Sequence, residues 1–202
     1  MYDKDYYRGK NSGYVLSYDI LRHPFFWRDE LATLARFKPR GRLLDIGCAF
    51  GHFLAAAGDA YERYGLDVSP DAVERARAEH GGSIRFEVRD FAAQDVPYPG
   101  TFDVVTMFNV IEHFEDPAPV LARLASFLSP GGIVFLRFPF RDPPFCRDKY
   151  HFYRPLEEWK RIIGQHLRIV HARTWFTLWG KCSSVPMPAA LSNFVSLVAT
   201  GR

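Results

Sequence analysis

LLDIGCAFGHFL, residues 43–54, is an apolar run that breaks into small residues and then resumes. Leu43 to Ile46 reads as a buried strand, Gly47 to Gly51 as a tight turn, and the chain from Phe53 as a helix. A strand, tight turn and helix in that order bring backbone amides close to a ligand at the helix N-terminus. Dinucleotide sites use G-x-G-x-x-G for this purpose. Here the pattern is Gly47-Cys48-Ala49-Phe50-Gly51, so the last glycine comes one residue early and His52 stands where a third glycine would sit. Asp45 lies just before the turn. A carboxylate there would repel a diphosphate and attract an ammonium group, so the ligand is expected to be cationic at that end.

Outward from this turn, strands and helices alternate. Tyr18–Phe37 carries apolar residues at helical spacing and stops at the breaker Lys38-Pro39-Arg40-Gly41. Strands are predicted over 42–46, 64–68, 84–88, 102–108 and 132–138, and helices over 53–59, 70–80 and 117–128. That alternation requires parallel pairing through right-handed crossovers, so the fold class is α/β, a doubly wound sheet. The tail adds a helix over 156–164 and two longer strands over 167–176 and 194–200, a β-rich closure at one edge. Between them, residues 139–155 form a long insert containing Pro143-Pro144, His151 and Tyr153.

The 202 residues suit a single domain, here divided into an N-terminal helical and aromatic segment (1–40), a ligand-binding core (41–138), a substrate-side insert (139–155) and a C-terminal helix with strands (156–202). A net charge of +3 is too small to indicate nucleic acid or membrane as a partner. Cys48, Cys146 and Cys182 are widely spaced and form no C-x-x-C pair, so neither a disulfide framework nor a zinc site is expected. The polar start MYDKDYYRGK is unlike a signal peptide, and no stretch reaches about 18 consecutive apolar residues. A reduced, cytoplasmic location is the expectation; oligomeric state is left open.

Two further acids stand at strand ends. Asp67, in YGLDVSP, is placed to accept hydrogen bonds from ribose hydroxyls. Asp90, in EVRDF, could accept from an adenine amino group with Phe91 packing on the ring, although Phe91 would serve equally as core. Either acid alone could be a loop or capping residue, and Gly47 could merely close a turn. Acids at three successive strand ends favour a ligand that joins a nucleoside to an amino acid.

LLDIGCAFGHFL, YGLDVS, VRDF, FDVVTMFNVIEHFEDP and LSPGGIVFLRFP, in that order and spacing, resemble the successive motifs of class I S-adenosylmethionine-dependent methyltransferases, in particular the broad branch with E-H-x-x-D-P after the fourth strand. The resemblance runs from about Gly41 to Phe138. It implies a Rossmann-like, mainly parallel seven-stranded sheet with an antiparallel last strand. It also implies S-adenosylmethionine as cofactor, with S-adenosylhomocysteine as product. By the same resemblance Asp45, Gly47, Ala49 and Gly51 shape the methionine end, Asp67 with the adjoining Val68 the ribose end, Asp90 and Phe91 the adenine, and Asn109 lies near the sulfonium. The middle glycine is replaced by Ala49, which tolerates a close backbone approach if its φ is negative; binding is therefore expected to survive.

Methyl transfer from a sulfonium needs alignment and exclusion of water, and a base only when the acceptor must lose a proton. The expected acceptor is an oxygen or nitrogen of a small molecule. Candidate catalytic groups are Glu112 and His113, just past the fourth strand, and His151 in the insert. The alternatives are that Glu112 and His113 cap and pack the following helix, and that His151 orders KYHFYRP by hydrogen bonding. No metal is assigned. A two-His-one-carboxylate site from Glu112, His113 and His151 resembles that of the small-RNA 2′-O-methyltransferases, but Asn109 replaces their first glutamate. That RNA reading, and a non-catalytic S-adenosylmethionine-binding protein, are the alternatives. The aromatic residues Tyr2, Tyr6, Tyr7, Tyr14 and Tyr18, with Phe140, Phe145, Tyr150, Phe152 and Tyr153, could form a lid or merely cover the sheet. Arg137, Arg141, Arg147 and Lys149 hint at an acidic acceptor, or at a solvated basic face.

Overall fold

The computed structural model describes residues 7, 18–98, 100–142, 150–177 and 184–202. The expectations placed on Tyr2, Tyr6, Tyr14, Phe145, Cys146, Arg147, Lys149 and Cys182 lie outside these.

One sheet of eight strands is formed in the order β3-β2-β1-β4-β5-β8-β6-β7. The strands are β1 (Gly41–Ile46), β2 (Tyr61–Asp67), β3 (Arg85–Val88), β4 (Phe102–Phe108), β5 (Leu128–Pro139), β6 (Arg168–Thr177), β7 (Ser184–Pro186) and β8 (Phe194–Thr200). Strands β1 to β5 pair in parallel, whereas β8 lies between β5 and β6 and is antiparallel to both. The doubly wound, mainly parallel sheet with an antiparallel last strand is therefore observed. The strand count of seven is corrected to eight among the described residues. The addition, β7, is a three-residue partner at the edge of β6. It is short and ends in Pro186, as suits an edge that offers little to another chain.

The helices are α1 (Arg28–Phe37), α2 (His52–Ala57), α3 (Pro70–His80), α4 (Ala118–Ser126) and α5 (Leu156–His166). The helix expected over Tyr18–Phe37 is broken. Its first part is two 3-10 turns, Tyr18–Arg22 and Pro24–Trp27, before α1 begins. Pro24 cannot donate to a continuing helix and disfavours helical geometry at His23; the His23 side chain instead caps the second turn, accepting from the Phe25 amide at 3.2 Å. By contrast α3 starts where Pro70 and the Ser69 hydroxyl, which accepts from the Ala72 amide, place it.

Neighbouring strand residues point to opposite faces, and both faces are covered. Leu44, Ile46, Leu66, Val105, Val134 and Leu136 join Leu121 and Leu124 of α4 and Trp159 and Ile163 of α5 in one core. Leu43, Val104, Ile133 and Phe135 join Leu34 of α1, Phe53 of α2 and Val73 of α3 in the other. Burial on both sides explains why β1, β4 and β5 read as mainly apolar rather than alternating, broken by Asp45, Thr106 and Arg137. Each fully buried leucine contributes about 1.5–3 kcal/mol. Among the described residues no helix is long and apolar enough to cross a membrane.

Candidate active site

The strand order reverses between β1 and β4, the two strands from which successive connections depart in opposite directions. Ligands of open α/β sheets sit beyond the carboxyl ends of the strands at such a point. A cavity of about 230 Å³ lies there, lined among others by Gly47, Ala49, Asp67, Val68, Asp90, Phe91, Asn109 and His113. Eight of the twelve residues singled out from the sequence thus share one cavity. Asp45, Gly51, Glu112 and His151 do not line it.

The turn after β1 is bound to the end of β2. The amides of Gly47 and Cys48 both donate to the Leu66 carbonyl, at 2.8 and 3.0 Å, and the Gly51 amide donates to the Cys48 carbonyl at 2.9 Å. Gly47 has φ +76°, and a Cβ on it would stand 2.2 Å from Val110 Cγ2. Only glycine satisfies both the backbone conformation and the approach of the β4 loop. Ala49 has φ +48°, which corrects the expectation of a negative value. The left-handed conformation is held by Asp67, whose Oδ2 accepts from the Ala49 amide at 2.9 Å.

Asp67 therefore has two duties. Its Oδ1 accepts from the Ser69 amide at 2.9 Å and lies 3.5 Å from the Tyr7 hydroxyl, while the carboxylate lines the cavity. Burial raises its pKa, and the amides of Ser69 and Ala49 oppose the rise. Asp45 is buried one layer below. Its Oδ1 accepts from the Thr106 hydroxyl at 2.6 Å, so it props β1 against β4 beneath the turn. Cys48, beside it, is buried, and burial, with Asp67 and Asp45 nearby, pushes its thiol pKa well up.

Beyond the end of β3, Asp90 Oδ1 accepts from the Ala92 amide at 2.9 Å, and Phe91 is 3% exposed, packed near Phe127 and the Arg123 guanidinium. Phe91 is thus both core and cavity wall. Across the cavity Asn109, the residue after β4, has φ +55°, with its amide donating to the Arg137 carbonyl at 2.7 Å. Its buried Oδ1 has no hydrogen-bond partner among the described residues. A non-glycine residue in the left-handed region and a buried polar oxygen without a partner thus coincide at one point of the cavity wall.

Ile111–His113 form a single 3-10 turn of their own. The helix-capping alternative falls instead to Asp116, whose Oδ1 accepts from the Ala118 amide at 3.1 Å at the start of α4. Glu112 is fully buried, and its Oε1 lies 3.8 Å from His151 Nε2. The His113 and His151 rings are 4.7 Å apart, and His151 Nδ1 shares a hydrogen bond with the Tyr153 hydroxyl at 3.1 Å. One ligand atom from each of Glu112, His113 and His151 lies within 4.8 Å of the others. His151 thus reaches the 3-10 turn and also bonds within its own segment, so its geometry is compatible with both readings.

Arg137 does not serve an acidic acceptor. It is buried and paired with Glu30 of α1, on the face away from α4 and α5. Arg141 donates to the Ala190 carbonyl at 2.9 Å. The cavity also includes Arg89, Phe108, Val110 and Phe114, which sequence reasoning passed over. Their signal is proximity: each flanks a strand-end residue that was singled out. Of the aromatic residues left open between a lid and sheet cover, Tyr7 and Tyr18 line the cavity, with Phe50 packed against both rings at 4.9 and 5.3 Å.

A family model described as a methyltransferase domain matches residues 21–182. The ubiquinone biosynthesis O-methyltransferase of Thiobacillus denitrificans is 40% identical over 116 residues, covering 54% of this chain and 47% of that protein. Its counterpart in Pseudomonas aeruginosa is 35% identical over 122 residues, covering 58% and 50%. The chain spans about half the length of these relatives. Among solved structures, the possible histamine N-methyltransferase of Thermotoga maritima shares the fold at TM-score 0.68 and 18% identity, covering 92% of this chain and 93% of that one. The N-methyltransferase NodS of Bradyrhizobium japonicum, in complex with S-adenosyl-L-homocysteine, does so at 0.65 and 21%, covering 87% of each. With the family model spanning most of the residues and the sheet wound as above, the chain belongs to the methyltransferase-domain family, in its class I, S-adenosylmethionine-dependent architecture.

Proposed function

We propose that the cavity at the β1–β4 divide binds S-adenosylmethionine and that the chain transfers its methyl group to an oxygen of a small molecule. The observation that carries the reading is the lining itself: an acid at the end of β2, a glycine that no side chain could replace, and an unmatched Asn109 oxygen surround one space. These residues fit the cofactor. Asp67 would accept from ribose hydroxyls, Gly47 and Ala49 would let the backbone approach the amino-acid end, and Asn109 Oδ1 would take a donor or face the positive sulfonium. Val68, 45% exposed at the rim, and Phe91 offer apolar surface to a flat ring. Asp45 acts from below, fixing the turn and contributing negative charge. Gly51 keeps the turn short: its φ is +75°, and a Cβ would meet the Phe86 ring at 2.6 Å.

When bound, the cofactor supplies an electrophilic methyl group, so the chain's work is alignment, exclusion of water and handling of one proton. His113 lines the cavity, next to Asn109 and Phe114 in its wall, and is the group placed to take a proton from an acceptor hydroxyl. The His151 ring packs 4.7 Å from it, and Glu112 lies behind His151 at 3.8 Å. An oxygen acceptor is favoured by the O-methyltransferase names of the relatives at 35–40% identity.

Calorimetry with S-adenosylhomocysteine tests the cofactor. Tight binding is expected, with no comparable affinity for NAD, and Asp67→Ala should abolish most of it; unchanged affinity in that variant would refute the assignment. A panel of hydroxylated and amino compounds tests the acceptor. Failure of the whole panel with cofactor binding intact would favour a binding protein without turnover.

A second reading is supported by the convergence of Glu112, His113 and His151, which could hold a divalent metal to activate a ribose hydroxyl of RNA. Activity that requires added Mn²⁺ or Mg²⁺ and disappears with chelator would select it.

A further inference from the structure

A second group of metal-ligating side chains sits where α2 begins and α3 ends, and none of its members lines the cavity. His52, the first residue of α2, is 2% exposed, and among the described residues neither ring nitrogen has a hydrogen-bond partner. His80, the last residue of α3, has a buried Nε2 in the same condition. Glu79 adjoins it. Its Oε1 accepts from Arg75 at 2.8 Å and Arg22 at 2.9 Å, and its Oε2 faces His80 Nε2 at 3.8 Å. One ligand atom from each of His52, Glu79 and His80 lies within 4.8 Å of the others.

We propose that His52, Glu79 and His80 form a binding site for an imidazole-preferring divalent transition metal of the Zn²⁺ and Co²⁺ class. Buried polar nitrogens are ordinarily satisfied, and one ring nitrogen from each of His52 and His80, both unmatched and both near the Glu79 carboxylate, can be satisfied together by one cation. Two imidazoles and one carboxylate suit zinc-like ions, whereas Mg²⁺ and Ca²⁺ select oxygen donors. Arg22 and Arg75 already offset the Glu79 charge, which disfavours a hard cation further and leaves the nitrogens as the principal donors. Packing alone accounts for the ring of His52, stacked 6.0 Å from Tyr18, but not for its nitrogens. The metal ties the residue after Gly51 to the end of α3 and stiffens the turn from outside the cavity.

The full chain, stripped of metal, is titrated with Co²⁺ while visible d–d absorption and the thermal midpoint are followed. Wild type is expected to develop an absorption band and a raised midpoint. His80→Gln should weaken Co²⁺ binding by about tenfold or more with the metal-free midpoint retained, and His151→Gln should bind as wild type does. No band and no shift in wild type would overturn the proposal. So would loss of binding in His151→Gln with retention in His80→Gln, which assigns the metal to the other cluster. Should His80→Gln fail to fold, anomalous scattering from wild-type crystals soaked in Zn²⁺ decides: a peak between His52 and His80 supports the site, and its absence there overturns it.

Discussion

Ala49 is held at φ +48° by a hydrogen bond from its amide to Asp67. The left-handed region costs a non-glycine residue about 1–2 kcal/mol, whereas a glycine there adds about 0.4–1 kcal/mol of unfolded-chain entropy to be overcome. Ala49→Gly is therefore expected to stabilise the chain by about 0.5–1 kcal/mol, as read from urea denaturation. A loss of stability would mean that the Ala49 methyl packs more than it strains. The buried Cys48 thiol, with its raised pKa, should resist alkylation. In a Cys146→Ser, Cys182→Ser background it is expected to react with a thiol reagent only after unfolding; fast reaction in the native chain would contradict the burial. At this scale the sequence discloses which residue types stand at the strand ends, because register follows from alternation. It does not disclose what occupies them. That Thr106 takes Asp45 and the Ala49 amide takes Asp67 depends on chain segments 61 and 18 residues apart.

Elements were legible where local chemistry and burial agree. Strand β8 and helix α3 fall at the expected residues, the first as a run apolar but for Ser196 and Thr200, the second behind a serine cap and proline. The long first helix failed because periodicity alone ignores Pro24, and β7 was missed because three residues carry no period. Between elements the turn after β1 meets the loop after β4, and Gly47 is the contact. Gly47→Ala forces Cβ onto Val110 and keeps a positive φ, so a loss of about 2–4 kcal/mol and of most S-adenosylhomocysteine affinity is expected. Adding Val110→Ala should restore the packing part of the stability but not the conformational part. Full restoration would show that φ at Gly47 is not constraining. Glu30 and Arg137 join α1 to β5 as a buried pair. Arg137→Met alone removes a charge partner from a buried carboxylate and should cost about 3–5 kcal/mol, while Glu30→Leu with Arg137→Met should recover most of it.

Across the whole molecule the two edges of the parallel sheet divide the labour. Every residue assigned to the cofactor lies at or beyond the carboxyl ends of β1, β2, β3 and β4, whereas the opposite edge is held by polar contacts with no part in the cavity. Asp103, at the start of β4, is the hub of that edge: it accepts from the Arg42 amide at 2.9 Å and the Ser129 hydroxyl at 3.0 Å, with Lys38 Nζ at 3.4 Å. The Arg42 amide, then Ser129 and Lys38, hold its pKa below the ordinary carboxylate range. A carboxyl depressed in the folded chain stabilises it fully above its unfolded value, about pH 3.9, and loses that contribution as pH falls through the folded value. The side chain is 30% exposed, so solvent screening limits the effect. Asp103→Asn should then lower stability by about 1–2 kcal/mol at pH 7, and the gap to wild type should close as the pH is taken well below 4. S-adenosylhomocysteine affinity at pH 7 should be unchanged, because nothing at this edge touches the cavity. A weakened affinity would show that strain at the amino ends of the strands reaches the turn after β1, and that the two edges are not independent.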